Sequence, residues 1–166
     1  MKNKKEMHNI LIIGGGIAAY SAAIYSARAN LKPIILCGEG PDQLSLTTEV
    51  ENYPGFPDGI LGPKLIENAK KQAEKFGSKC ISESAESFEI RKDYFEIKAG
   101  KNIYKSKTLI ICTGASARRL DVKGEREYFG RGVSTCAVCD APLYKGKVAV
   151  VIGGGDSAME EALALL

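Results

Sequence analysis

The sequence predicts a three-layer α/β protein. It has a helix-covered parallel sheet and an antiparallel β-meander, and then opens a second domain of the same wound kind. Three observations predict this. Residues 9–37 read as apolar strand, glycine turn, alanine-rich helix and apolar strand, a βαβ unit whose crossover is right-handed. Residues 79–105 hold short alternating segments with turn residues between them, the pattern of a strand followed by a meander. Residues 147–152 repeat the strand-into-glycine pattern and end at Gly153-Gly154-Gly155.

Each element has its own signal. Residues 9–13 form a strand because Ile10, Leu11, Ile12 and Ile13 are a continuous apolar run stopped by glycine. Residues 17–30 form a helix, rich in alanine and with an apolar face at helical spacing. Residues 33–37 are a second short apolar strand. Residues 38–59 are rich in Gly, Pro, Asp and Thr and read as a long loop, which inside a compact domain is functional or disordered. The helix at 62–76 has Pro63 in its first turn, apolar positions at Leu65, Ile66, Ala69 and Ala73, and Gly77 as its stop. Strands follow at 79–82, 86–91, 94–99 and 102–105. An apolar strand at 108–112 then runs into Thr113-Gly114-Ala115. Residues 117–132 are charged and irregular and read as a linker, dividing the chain into domains at 1–116 and 117–166. A helix starts at Ser157 and runs to Leu165 and Leu166 without a capping glycine or lysine. A lone βα start cannot bury its own apolar face, so the expectation is a chain cut inside a domain, with a short natural helix as the alternative.

Composition narrows the class. The chain has 166 residues, 45% hydrophobic and 26% charged, which suits a globular protein of one domain and part of another. A net charge of +3, with no arginine–aromatic interleaving, argues against nucleic acid as a partner. The lysine-rich residues 2–5 read as a solvated tail. No apolar h-region follows them and no apolar run reaches membrane-spanning length, so no membrane partner is expected. Five cysteines, an odd number with three scattered, do not make a secreted disulfide framework. Cys37, Cys80 and Cys112 read as small buried hydrophobes.

The chemistry lies in two loops and a dithiol. In Gly14-Gly15-Gly16-Ile17-Ala18-Ala19, Gly14 permits a tight turn, Gly16 lets backbone approach a pyrophosphate, and Ala19 allows close helix–strand packing. The helix N-terminus adds free N–H groups and a positive dipole end. Glu39 stands near the end of the second strand, where an acidic ribose ligand is expected; a solvated loop glutamate fits the position equally. Gly153, Gly155 and Ala158 repeat the pattern in Gly153-Gly154-Gly155-Asp156-Ser157-Ala158, which argues for two bound dinucleotides. Cys136 and Cys139 have redox spacing, and Asp140 beside them can supply or accept a proton. A zinc half-site or two structural thiols are the other readings. Zinc needs further ligands, and the one histidine, His8, reads as a solvated tail residue. Electrons entering at one dinucleotide, passing a second and leaving through a disulfide would use all three motifs.

With these motifs the chain resembles the low-molecular-weight thioredoxin reductases, over nearly all its length after residue 8. The matching segments are residues 14–19, Gln43-Leu44, Thr47-Thr48-Glu49-Val50-Glu51-Asn52-Tyr53-Pro54-Gly55, Thr113-Gly114-Ala115-Ser116, residues 136–140 and residues 153–161. The resemblance implies FAD at the first loop, near Gly15, Gly16, Ala18, Gln43 and Asn52, with backbone near Ala85 and Thr113-Gly114-Ala115 completing that side. It implies NADPH at the second loop. It implies that Cys139 faces the flavin, Cys136 attacks thioredoxin, and Asp140 is the proton-transfer acid. A cytoplasmic homodimer is expected of the full-length protein. The chain departs from the usual family pattern at Ile17 and Ala19, where proline and glycine are usual, and at Pro41-Asp42, where two glycines are usual. Two other functions share these features: an FAD-dependent dithiol oxidase or disulfide reductase with another partner, and a non-catalytic nucleotide-binding module.

Overall fold

The computed structural model describes residues 6–166; the expectation for the lysine-rich residues 2–5 lies outside the described residues. The chain divides into two units, one ending at Ser116 and one spanning Ala117–Leu166.

The first unit is built around strand β1, Met7–Ile13, whose last four residues are all buried. Its neighbours are β2 (Ile34–Leu36) on one side and β8 (Asn102–Ile111) on the other, both parallel to it, with Leu11 opposite Ile34 and Leu109. β5 (Lys79–Ile81) runs parallel to β2, with Cys80 opposite Ile35. β6 (Ser87–Ile90) and β7 (Phe95–Ala99) complete an antiparallel meander with β8, giving the order β5-β2-β1-β8-β7-β6. This is the mixed α/β, Rossmann-like three-layer fold that the sequence predicts.

The layers follow from side-chain alternation along β1. Ile10 and Ile12 point to one face and pack with Ile35 against Ala19, Tyr20 and Ala23 of α1 (Ile17–Arg28) and Ile66, Ala69 and Ala73 of α2 (Gly62–Lys75). Leu11 and Ile13 point to the other face and pack with Leu36 against Ile97 and Ala99 of the meander. Alanines at Ala19, Ala23, Ala69 and Ala73 let both helices lie close to the sheet. Each buried isoleucine or leucine in these layers contributes about 1.5–3 kcal/mol by leaving water.

The structure departs from the sequence reading in five places. The segments at 102–105 and 108–112 form one strand, β8, because the polar break between them is absorbed: Ser106 is fully buried and its hydroxyl donates to the Thr108 carbonyl at 2.7 Å. The long loop at 38–59 contains a 3₁₀ turn, Leu44–Leu46, and β3 (Glu49–Val50), which pairs antiparallel with β4 (Ile60–Leu61). His8 is no tail residue: it is half-buried in β1, paired with Ser106. Within 117–132 the chain forms a short helix, α3 (Glu125–Tyr128), with Glu125 buried. Residues 147–152 do not form a strand; Val148 and Val150 are 96% and 80% exposed. A strand exists by its ladder, and no strand among the described residues of the second unit offers one. That unit otherwise holds α4 (Ala137–Asp140), a 3₁₀ turn at Ala141–Tyr144, and α5 (Asp156–Ala164).

Candidate functional site

The first glycine loop joins β1 to α1 at the carboxyl edge of the parallel sheet, where ligands bind in folds of this kind. Gly14 has φ +131°, and a Cβ there would lie 2.1 Å from the Cys112 carbonyl oxygen. A Cβ on Gly15 would lie 2.4 Å from the Cys37 carbonyl oxygen. These two glycines are therefore wedged between the chain leaving β8 and the chain leaving β2. Gly16 differs: a Cβ there meets only Asp42 Cβ, at 3.8 Å, so its backbone borders open space. Gly16 is also the N-cap of α1, with no side chain bonded to it and no acidic residue in the first turn. Ile17, Ala18 and Ala19 form that turn, Ala18 exposed and Ala19 buried against the sheet. Helix N–H groups without a cap, a favourable dipole end and an open glycine cradle fit a dinucleotide pyrophosphate.

The other residues expected at this end of the unit are placed as follows. Thr113, Gly114 and Ala115 lie one residue beyond β8, after Cys112, and are exposed. Gln43 is exposed and precedes the 3₁₀ turn that contains Leu44. Asp42, beside Gly16, organises that turn: its carboxylate accepts the amides of Leu44 at 3.0 Å and Ser45 at 3.2 Å, and also the Ser45 hydroxyl. Asp42 thus gives this turn a side-chain cap. Glu39 is exposed after β2, and its amide donates to Ser84 Oγ at 3.3 Å. Ala85 is half-buried between β5 and β6 and packs under the meander. Asn52 lies exposed in the loop between β3 and β4. β1, β2 and β8 thus bring the first loop, Glu39 and Thr113–Ala115 to one sheet edge, and Asp42 brings the Gln43–Leu44 turn beside them.

Three free thiols lie under this edge, all half-buried. The Tyr20 hydroxyl reaches Cys37 Sγ at 3.8 Å. A hydrogen bond from Cys80, helped by the one from Tyr20, lowers the Cys37 thiol to about 6. Donation to Cys37 and burial push Cys80 up, and burial alone raises Cys112. The apolar runs around these residues show only small hydrophobes; that Cys37 and Cys80 come near each other follows from the pairing of β2 with β5, which the sequence does not spell out.

In the second unit Cys136 and Cys139 are joined as a disulfide. Cys136 is the N-cap of α4, and its Sγ accepts the Cys139 amide at 3.2 Å. Ser134 fixes the approach, its hydroxyl accepting the Cys136 amide at 3.0 Å. The Glu161 carboxylate, from α5, accepts the Ala137 amide. Asp140 closes α4, half-buried, with its amide bonded to the Cys136 carbonyl. Ser134 and Glu161 received no role from the sequence; a serine two residues before a helix cap was the available signal for the first. α5 begins at Asp156, capped by Gly155 without a side-chain bond, and Gly154 and Gly155 have no atom near a built Cβ. The second loop therefore offers an open cradle like the first, with Asp156, Ser157 and Ala158 in its first helical turn. Gly153, at φ +148°, makes the turn, and a Cβ there would lie 2.9 Å from Ala158 Cβ.

A wound parallel sheet with an open glycine loop, followed in the chain by a redox-spaced disulfide and a second glycine loop, defines the class as a dinucleotide-binding α/β protein. The chain belongs to the pyridine nucleotide-disulphide oxidoreductase family, whose model matches residues 8–166. It is 49% identical over 166 residues to the "NADPH-dependent thioredoxin reductase 3" of Arabidopsis thaliana, covering 96% of this chain and 31% of that protein. It is 46% identical to the "Thioredoxin reductase" of Coxiella burnetii, over 98% of this chain and 51% of that protein. Among solved structures it is similar to the thioredoxin reductase from Giardia duodenalis, with a TM-score of 0.86 and 46% identity over 97% of this chain and 53% of that one. The chain thus spans about half the length or less of these relatives. Among the described residues no helix is long and apolar enough to cross a membrane.

Proposed function

We propose that the whole protein is an NADPH-dependent thioredoxin reductase, acting as a cytoplasmic homodimer. In this reading residues 1–116 carry the FAD site and residues 117–166 open the NADPH-binding domain with the dithiol. One observation carries the proposal: in a chain of this family, a disulfide links Cys136 and Cys139, and the Cys139 amide is bonded to the Cys136 sulfur.

Gly14, Gly15, Gly16 and the first turn of α1 would hold the FAD pyrophosphate. Glu39 would meet the adenosine ribose, and Gln43, Leu44, Asn52, Ala85 and residues 113–115 would surround the rest. Gly153, Gly155, Asp156, Ser157 and Ala158 would receive NADPH. When bound, FAD supplies a two-electron carrier between nicotinamide and disulfide. The protein's own part begins at the dithiol. Reduction breaks the Cys136–Cys139 bond and takes up two electrons and two protons. Asp140, next in sequence to Cys139, holds one of those protons. The amide bonded to Cys136 Sγ favours negative charge there, so Cys136 is the thiolate that attacks. It forms a mixed disulfide with thioredoxin and expels one thioredoxin sulfur. Cys139 then attacks Cys136 Sγ, which re-forms the pair and releases thioredoxin as a dithiol.

The test is NADPH oxidation by the whole protein, loaded with FAD, in the presence of thioredoxin. Cys136→Ser or Cys139→Ser abolishes thioredoxin reduction and leaves flavin bound. A double serine variant that still reduces thioredoxin overturns the role of the pair. Turnover with a different disulfide acceptor, and none with thioredoxin, keeps the dithiol chemistry and replaces the partner.

A further inference from the structure

The connection between β5 and β6 contributes no residue to the glycine loops, yet it ties β8 to the first site through Glu83 and Ser84. Glu83 lies in the connection between β5 and β6. Its carboxylate accepts Asn102 Nδ2 at 2.8 Å and the Tyr104 hydroxyl at 3.0 Å, both from β8. Its carbonyl accepts the Gly38 amide at 3.1 Å. The next residue, Ser84, accepts the Glu39 amide through Oγ at 3.3 Å. The two residues leaving β2, Gly38 and Glu39, therefore hang from a short connection that is itself tied to β8. Gly38 sits at φ +80°, with Ser84 Oγ 3.7 Å from where its Cβ would be, so this turn is held in a glycine conformation against the connection.

We infer that Glu83, Asn102 and Tyr104, with Ser84, form a brace that holds Gly38–Glu39 in place and so positions the adenosine half of a dinucleotide at the first loop. This rests on the dinucleotide reading above. The chemistry is that of pre-organisation. A loop glutamate that meets a ribose must be ordered before the ligand arrives, or ordering it weakens binding. Here the ordering comes from two charge-assisted bonds to a carboxylate, which are the stronger kind. Burial and the Glu83 carboxylate both raise the Tyr104 phenol, which keeps it a donor. All four are positioning residues; the ligand contact belongs to Glu39 and the glycine loop.

The experiment uses the chain with Glu83→Ala, Glu83→Gln, Tyr104→Phe and Ser84→Ala, and two probes that split the ligand: ADP for the adenosine half and FMN for the flavin half. Calorimetry should show Glu83→Ala weakening ADP about tenfold, the effect of losing two bonds, with FMN affinity unchanged. Glu83→Gln should restore most of it, because a glutamine amide accepts from Tyr104 and donates to Asn102 once the Asn102 amide turns over. Amide exchange at Gly38 and Glu39 should quicken in Glu83→Ala and Ser84→Ala, while amides in β7 keep their protection, which separates a lost brace from a lost fold. Unchanged ADP affinity in Glu83→Ala, or Glu83→Gln as damaging as Glu83→Ala, overturns the inference while the dinucleotide reading stands. A wild-type chain that binds neither ADP nor FMN removes both.

Discussion

Gly15 and Gly16 are adjacent and chemically identical, yet the packing assigns them opposite sensitivities. A methyl on Gly15 would sit 2.4 Å from the backbone carbonyl oxygen of Cys37, which cannot move without shifting β2. Gly15→Ala should therefore cost at least about 3 kcal/mol, the range of backbone-clashing substitutions, in urea denaturation. A methyl on Gly16 has room beside Asp42 at 3.8 Å, so Gly16→Ala should cost no more than about 1 kcal/mol, the poorer helix cap, and weaken dinucleotide binding by filling the cradle. If both variants lose stability equally, the cradle assignment fails. Cys37 allows a second test. Because Cys80 and Tyr20 hold its thiol near 6, its alkylation by iodoacetamide should rise through that pH and level off by neutrality. In Cys80→Ala the profile should move up towards that of an ordinary thiol; an unchanged profile would remove Cys80 as the cause. The turn at Gly14, the open backbone at Gly16 and the close pairing of Cys136 with Cys139 were legible in the sequence because each depends on residue type at fixed local spacing. Asp42, Cys37–Cys80, Glu83 and Glu161 were not, since each acts through a partner set by the fold.

At the scale of elements, periodicity identified β1, β2, α1 and α2 because each has an uninterrupted apolar face. β8 was split at Ser106 because Lys105-Ser106-Lys107 reads as a polar break before the apolar run at 108–112. The fold tolerates it by burying the hydroxyl against two carbonyls, Thr108 at 2.7 Å and His8 at 3.5 Å. Those bonds hold a serine at the point where β8 passes from the meander to the parallel sheet, with β7 paired at Phe95 and β1 at His8. Ser106→Ala should cost about 1–2 kcal/mol, from the lost bond to a buried carbonyl, read as a lower urea midpoint with unchanged slope. A neutral result would show that the serine is incidental and that the strand needs no polar anchor there. The opposite error occurred at 147–152, where a good strand pattern meets no ladder. Local sequence proposes a strand; a neighbouring strand makes it one.

The two units differ most in what they bury. In the first, two apolar layers enclose the parallel sheet, and Leu11, Ile12, Ile35 and Ile97 have no exposed surface. In the second, no apolar residue is buried among the described residues, and Val138, Leu143, Val148, Val150, Ile152 and Leu163 are exposed. Burial is the main source of stability, so the free energy that opens each unit should differ accordingly. Native-state hydrogen exchange is the measurement. Amides of β1, β2 and the parallel half of β8 should exchange last, at the free energy of global unfolding. Amides of 145–155 and of α5 should exchange at least about a hundredfold faster, through local opening that costs little. The amide of Cys139 should be slower than its neighbours in the oxidised protein, because it is bonded to Cys136 Sγ and the disulfide closes the turn. Reduction should leave it protected, because the Cys136 thiolate is a stronger acceptor of that bond than the disulfide sulfur. In this 166-residue chain the exposed valines and leucines should also drive self-association as concentration rises, with charged replacements at Val148 and Val150 reducing it. Uniform protection across both units, in a preparation that stays monomeric, would mean that the second unit owns a core of its own and that its exposed apolar residues do not set its stability.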